Sequence, residues 1–175
     1  MDLEKLARAM GPTPVILTGI SDECNLFSKS ETKKLNKVIS DYQESFPQCR
    51  LHVITRTFDQ KADLPPIIFW IFNRAGLSEG ISKQGKNRDV AILIEPSRKQ
   101  AAMIVGYGLE PILPQQALDQ IIDRAQPYLT GGEYLAGMEI AIEGLSELLK
   151  SVSQELPQSV GLQKALATDF DANDY

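Results

Sequence analysis

The chain has 175 residues, of which 43% are hydrophobic and 23% charged, and a formal net charge of −5. This length suits a single domain with an adequate core, and the composition is typical of a soluble globular protein. The negative charge and the lack of a basic run with interleaved aromatic residues exclude a general nucleic-acid binder. No stretch approaches the roughly 20 apolar residues that span a bilayer, so we expect a soluble chain.

The first part of the chain predicts an N-terminal extension followed by a capped helix. Residues 1–19 form the extension, with a short amphipathic helix over 2–10 and a brief edge strand over 15–17. Ser28 and Glu31 have capping-box spacing, and apolar residues then recur at helical spacing as far as Pro47.

The middle of the chain predicts a central strand and a buried helix. Residues 51–57 (LHVITRT) have strand composition. Pro65 and Pro66 suit the first turn of a helix, where the missing N–H costs nothing. The residues after them are apolar nearly all round, so we expect the helix to be buried with Trp70 in the core. Residues 74–88 are expected to form a loop.

Two apolar runs, Val90–Ile94 and Ala101–Val105, are separated by turn-forming residues and predict an antiparallel hairpin. If the last residue of the first run faces the first of the second, counting back places Asp89 opposite Gly106. The acidic start of one strand then meets the glycine-rich exit of the other, which makes this end of the hairpin a candidate site.

The C-terminal part predicts two helices and a tail. Pro114 starts one helix, which we expect Pro127 to break. Two glycines then precede a helix over residues 133–151, whose exposed face carries glutamates at intervals of four that we interpret as a solvated stripe. The acidic tail, residues 153–175, is expected to be disordered.

The order of these elements predicts an α/β fold: a three-layer α/β/α sandwich with a small mixed sheet of about four strands, one antiparallel pair and helices on both faces. Asp22 six residues before Ser28, the strand LHVIT, the helix IIFWIFN, the hairpin and the phrase VGYGLE together resemble the TPM domain family. The segment PYLTGGEYLAGMEIAIEGL is similar to that family's approach to its last helix. The resemblance gives a TPM-like domain over residues 20–152.

The resemblance implies a location and two activities. The family includes thylakoid-lumen proteins of photosystem II repair and bacterial envelope proteins, usually exported and anchored by a separate helix. Calcium binding and acid phosphatase activity are associated with some members. It therefore implies a periplasmic, extracytoplasmic or lumenal location if an export signal was trimmed, and a cytoplasmic one otherwise. Its implied partner is a membrane or envelope complex. This chain shows neither signal nor anchor, and Asn87–Asp89 replaces the family's usual glycine turn.

Four acidic residues are candidate metal ligands, because hard cations such as calcium are held by several oxygen atoms. They lie on three loops that border the predicted sheet, where the hairpin is expected to bring three carboxylates to one end. The alternative is that they are solvated surface groups. Zinc is disfavoured, because His52 is the only histidine and sits in a strand. The candidate ligands are Asp22, Glu23, Asp89 and Glu110.

No nucleophile–base pair is recognisable. Neither Cys24 nor Cys49 has a histidine partner, and two unpaired thiols are favoured over a disulfide. Three hypotheses remain: a monomeric, calcium-responsive binding module in the assembly or maintenance of membrane complexes, a slow metal-dependent acid phosphatase, and a metal-free structural adaptor. Tyr107 either lines a site or packs against the domain, and packing is favoured.

Overall fold

The computed structural model describes residues 19–58, 63–74 and 88–155. The predicted helix over 2–10, the predicted strand over 15–17, most of the predicted loop over 74–88 and the tail beyond residue 155 lie outside these ranges. The described elements in chain order are β1 (Ile20–Asp22), α1 (Lys29–Ser45), β2 (Leu51–Thr55), α2 (Leu64–Arg74), β3 (Val90–Glu95), β4 (Gln100–Val105), α3 (Gln115–Gly131) and α4 (Tyr134–Glu155).

The predicted helix signals are largely confirmed. Ser28 is the N-cap of α1, with its hydroxyl accepting from the Glu31 N–H at 3.3 Å, while the Glu31 carboxylate accepts from the Ser28 N–H at 2.8 Å. Both prolines lie in the first turn of α2, and Trp70 is buried. One residue of that helix, Phe69, faces outward with 42% of its surface exposed.

Two helix boundaries differ from the prediction. Pro127 does not break α3 but lies inside it. The lost backbone hydrogen bond is offset by packing of the apolar face, and the helix ends at Gly132, which adopts φ +81°. The last helix continues to Glu155, four residues beyond its predicted end at residue 151.

The sheet has the order β1-β2-β3-β4. The first three strands are parallel, so Asp22, Thr55 and Ile94 lie side by side. β4 runs antiparallel to β3 with Ile94 opposite Ala101, which confirms the predicted hairpin. The Gly106 N–H donates to the carbonyl of Asp89 at 2.9 Å, as the predicted register requires.

Helices cover both faces of the sheet. α1, α3 and α4 pack on the face formed by residues such as Val53 and Ile92, whereas α2 packs on the opposite face against Ile54 and Leu93. Because β1, β2 and β3 are consecutive neighbours while α1 and α2 lie on opposite faces, the two crossovers have opposite hands. One of them therefore departs from the usual right-handed connection.

Candidate functional site

Polar side chains gather at two opposite edges of the sheet. We call the end of β1, β2 and β3 that holds Asp22, Thr55 and Glu95 the carboxyl edge. The amino edge is the other end, where Arg50 precedes β2 and Asp89 precedes β3. In parallel α/β sheets, ligands bind outside the carboxyl ends of the strands.

Asp22 organises the carboxyl edge. Its Oδ1 accepts from the Leu26 N–H and its Oδ2 from the Phe27 N–H, both at 3.0 Å. The hydroxyl of Thr55 also donates to Oδ1. The connecting turn is tight, with Asn25 in the left-handed region at φ +54°. Asp22 is the last residue of β1, an edge strand that was not predicted from the sequence. Its hydrogen bonds stabilise the turn that leads into α1.

Thr55 links this turn to the sheet. Its hydroxyl accepts from the Cys24 N–H at 3.1 Å while it donates to Asp22, and its carbonyl accepts from the Glu23 N–H at 3.2 Å. Threonine at the end of β2 thus uses its hydroxyl as both donor and acceptor. Sequence reasoning missed this residue, although it is the last residue of a buried strand.

Glu23 has a solvent-exposed carboxylate at the carboxyl edge. Its side chain is 47% exposed and its Oε2 lies 3.4 Å from Nε of Arg56. The Arg56 guanidinium also lies over the ring of Phe58, 5.7 Å from the centroid. Because the ion pair is long and partly solvated, it holds Glu23 only weakly.

The negative charge of this edge acts on Cys24. Burial raises the pKa of the Cys24 thiol, and the charges of Asp22, Glu23 and Glu95 raise that pKa further. The hydrogen bond with Thr55 lowers the pKa, but by less. The thiol therefore stays protonated near neutral pH and is a poor nucleophile.

Glu95 is fully buried but is occupied by the hairpin turn. Its Oε1 accepts from the Ser97 hydroxyl at 2.7 Å and its Oε2 from the Arg98 N–H at 2.8 Å. The Arg98 guanidinium lies 3.4 Å from the same oxygen. The turn ends at Lys99, in the left-handed region at φ +54°. Sequence reasoning also missed Glu95, which stabilises the turn.

At the amino edge, Asp89 is paired with a cation. Arg50 donates to both of its oxygens, at 2.9 and 2.6 Å. Nε2 of His52 lies 3.8 Å from Oδ2, which is too long for a hydrogen bond. Burial acts to raise the pKa of Asp89, yet Arg50 and His52 together hold it below its ordinary value. His52 is buried and lies in β2, and its position in a strand was predicted.

The four predicted metal ligands do not meet. Asp22 and Glu23 lie at the carboxyl edge, whereas Asp89 and Glu110 lie at the amino edge. The five residues of β2 separate the edges by about 16 Å, at about 3.3 Å per residue. The prediction that the four carboxylates gather at one end of the sheet is wrong. Because β3 runs parallel to β1, the start of β3 and the end of β1 lie at different ends of the sheet. Within the described ranges, no group of three or more His, Cys, Asp or Glu is placed to hold a metal ion.

Three other predicted features can be placed. Cys24 and Cys49 are both free and lie at opposite edges, which agrees with two unpaired thiols. Burial raises the pKa of Cys49 to about 12. Tyr107 does not pack against the domain as expected but is 58% exposed, in the turn after β4. A groove lined by Gly19, Asn36 and Ser40 runs beside α1, away from the carboxylates of the carboxyl edge.

These features define a three-layer α/β protein whose polar groups lie at the two ends of a small mixed sheet. The TPM domain model matches residues 20–148, and the chain belongs to this family. None of the curated proteins is significantly similar to it.

Solved structures from three bacteria share the fold. The N-terminal domain of a P. gingivalis protein is 20% identical with a TM-score of 0.63, over 75% of this chain and 82% of that one. The BA42 protein of the psychrophile Bizionia argentinensis is 15% identical with a TM-score of 0.61, over 74% and 86%. The N-terminal domain of the cg2496 protein of Corynebacterium glutamicum is 14% identical with a TM-score of 0.54, over 74% and 78%.

Proposed function

We propose that this chain is a TPM-domain binding module that takes up calcium at the carboxyl edge and acts in the assembly or maintenance of membrane or envelope protein complexes. The observation that carries the calcium proposal is the set of hydrogen-bond donors around the Asp22 carboxylate. The three donors to its carboxylate are two backbone N–H groups and one hydroxyl, all neutral. Its negative charge is therefore stabilised but not cancelled, beside the half-exposed carboxylate of Glu23.

The residues present fit calcium in part. A carboxylate offers about four acceptor positions, and Asp22 uses three of them, which leaves one on Oδ2. Glu23 supplies a second carboxylate if it leaves Arg56. Calcium takes 6–8 oxygen ligands, so carbonyls and water would supply the rest. Such an open site belongs to the weak class of calcium sites, with a Kd of about 10⁻⁴–10⁻³ M.

The amino edge is a poorer place for a cation. Arg50 already cancels the charge of Asp89 through two short hydrogen bonds. A metal ion would have to displace the guanidinium and leave it without its carboxylate. Glu110, on the turn after β4, is exposed and adds no buried ligand.

The enzyme alternative gains no support from the described residues. Burial and neighbouring carboxylates raise the pKa of Cys24, which opposes a thiolate nucleophile, and Cys49 is buried. We therefore keep the expectation that any phosphatase activity is slow and metal-dependent. Within the described ranges, no helix has the length and hydropathy to cross a membrane.

Thermal melts of the full chain with calcium, magnesium or chelator test the calcium proposal. A ligand at tenfold excess over Kd adds about 1.4 kcal/mol to the free energy of unfolding. We expect millimolar calcium to raise Tm, and magnesium to raise it less because of its stricter octahedral geometry. Glu23→Gln should reduce the calcium effect, and the matched control Glu110→Gln should keep it.

The same melts decide between the hypotheses. If the wild-type Tm does not respond to calcium, the metal-free adaptor replaces the calcium module. The assembly role is tested separately by retention of the chain on isolated membrane proteins. Retention in calcium that is lost in chelator and in Glu23→Gln is expected, and equal retention in all samples would contradict a calcium-dependent role.

A further inference from the structure

The outward face of α1 carries a basic stripe. Lys29, Lys33 and Lys37 recur at intervals of four residues and are all exposed. The buried positions of the helix, such as Leu35 and Ile39, lie on its other side. None of the ion pairs formed within the described ranges involves these three lysines.

The outward face of α4 carries the opposite charge with the same spacing. Glu139, Glu143 and Glu147 are exposed, four residues apart, on the side of the helix opposite Ala141. Glu147 has a long contact of 3.7 Å with Arg124, in which both side chains are more than half exposed. These glutamates thus remain available to a partner.

The two stripes belong to one surface. α1 and α4 pack against each other and cover the same face of the sheet. Their outward sides therefore lie next to each other in the outer helical layer, one basic and one acidic. A surface of this kind is complementary to itself after a twofold rotation.

We propose that this surface is the interface between two copies of the chain. The lysine stripe of α1 in each copy contacts the glutamate stripe of α4 in the other copy. Ridges of residues four apart are inclined by about 26° to each helix axis, so two such ridges align when helices cross at about −50°, the commonest packing class. Three lysine–glutamate pairs can then form at each contact.

An anionic membrane is the competing occupant of the lysine stripe. Clusters of four or more Lys or Arg are typical of lipid-binding surfaces. Here the glutamate stripe of α4 lies beside the lysines and would be pressed against the same lipid headgroups. This repulsion favours a partner that offers both charges, as a second copy does.

The dimer is expected to be weak and salt-sensitive. Exposed ion pairs contribute little each and are screened by salt. α1 is about 25 Å long and α4 about 33 Å, and each is about 10 Å wide. Together they present about 580 Å² per copy, below the roughly 800 Å² of a standard stable interface. We therefore expect a monomer in dilute solution and a dimer at high concentration and low ionic strength.

Sedimentation equilibrium of the full chain tests the proposal. We expect dimer in about 10 mM salt, where the Debye length is about 30 Å, and monomer in about 1 M salt, where it is about 3 Å. The double variant Lys33→Glu/Lys37→Glu should be monomeric in both, and so should Glu139→Lys/Glu143→Lys. Glu110→Lys, on the exposed turn after β4, is the control and should still form the dimer.

The decisive sample is an equal mixture of the two double variants. In one variant both stripes are mainly acidic, with Lys29 unchanged, and in the other both are mainly basic, with Glu147 unchanged. The mixture should therefore form a heterodimer although each variant alone does not. A monomeric mixture, a monomeric wild type in low salt, or a dimer that survives either double variant would overturn the proposal. So would a monomeric wild type that binds anionic vesicles through Lys33 and Lys37.

Discussion

The carboxyl edge and the amino edge each hold a carboxylate that the fold depends on, but they stabilise it in different ways. Asp22 is surrounded by two backbone N–H groups and a hydroxyl. Asp89 is held by the guanidinium of Arg50. Neutral donors stabilise a charge without removing it, whereas a guanidinium cancels it.

Under the proposed function, this difference distinguishes Asp22, whose charge has no cationic partner among its three donors, from Asp89, whose charge is paired with a guanidinium. At the carboxyl edge, burial is the main cause that raises the pKa of Cys24, and the charges of Asp22, Glu23 and Glu95 add to it. At the amino edge, burial acts to raise the pKa of Asp89, but the contacts with Arg50 and His52 hold it below its ordinary value. The number of carboxylates at an edge is therefore a poorer guide to a cation site than the charge of their partners.

The largest expected effect follows the loss of Asp22. Asp22→Ala removes the acceptor of three hydrogen bonds and leaves the N–H groups of Leu26 and Phe27 without it. We expect the free energy of unfolding to fall by about 3 kcal/mol, measured by urea denaturation. Asp41→Ala, an exposed acidic position on α1, is the control and should change it by less than about 0.5 kcal/mol. An equally small effect at Asp22 would mean that the turn is held by other contacts.

The next effect concerns pH at the amino edge. The folded-state pKa of Asp89 lies below its ordinary value of 3.8, so the pair contributes stability above that value and loses it as pH falls through the folded-state pKa. Asp89→Asn should lower stability by about 1–2 kcal/mol at pH 7 and converge with wild type at strongly acid pH. Denaturation midpoints between acid and neutral pH measure this. A difference that is independent of pH would contradict a charge-based role.

A smaller effect is expected at Thr55. Thr55→Val keeps the shape of the side chain but removes the donor to Asp22 and the acceptor for Cys24. We expect a loss of about 1–2 kcal/mol in unfolding experiments. Thr55→Ser retains the hydroxyl and should recover most of it. If the serine variant is no more stable than the valine variant, the hydroxyl is not what links the turn to the sheet.

The smallest expected effect is a difference in thiol reactivity between Cys24 at the carboxyl edge and Cys49 at the amino edge. Cys24 is partly exposed and Cys49 is buried, and both have raised pKa values. With a thiol reagent at neutral pH, Cys24 should react more slowly than a free cysteine, and Cys49 only after unfolding. Mass spectrometry of the labelled chain identifies each site. Faster labelling of Cys49 than of Cys24 would reverse the assignment of the buried thiol.

The sequence was sufficient where local signals agreed with the fold. The capping box at Ser28, the register of the hairpin from Ile94 and Ala101, and burial of Trp70 were all predictable. Each depends on residues close together in the chain or on one strongly apolar pattern. Pro127 shows the limit of such signals, because tertiary packing keeps α3 helical through it.

The candidate site could not be built from the sequence in the same way. Its placement depends on the direction of each strand, and the edge strand that ends at Asp22 is only three residues long. Without that strand, Asp22 and Asp89 could be assigned to one end of the sheet. The pairing of Asp89 with Arg50 spans 39 positions and has no local signal. Only the fold shows which carboxylate is neutralised.

A calcium titration followed by backbone amide NMR tests the central claim most directly. The carboxyl edge is predicted to bind the cation, so the amide signals of Glu23, Cys24 and Arg56 should shift together and saturate at millimolar calcium. Those of Asp89 and Glu110 should stay in place. Saturable shifts at Asp89 and Glu110 with none near Glu23 would contradict the account and move the cation site to the amino edge.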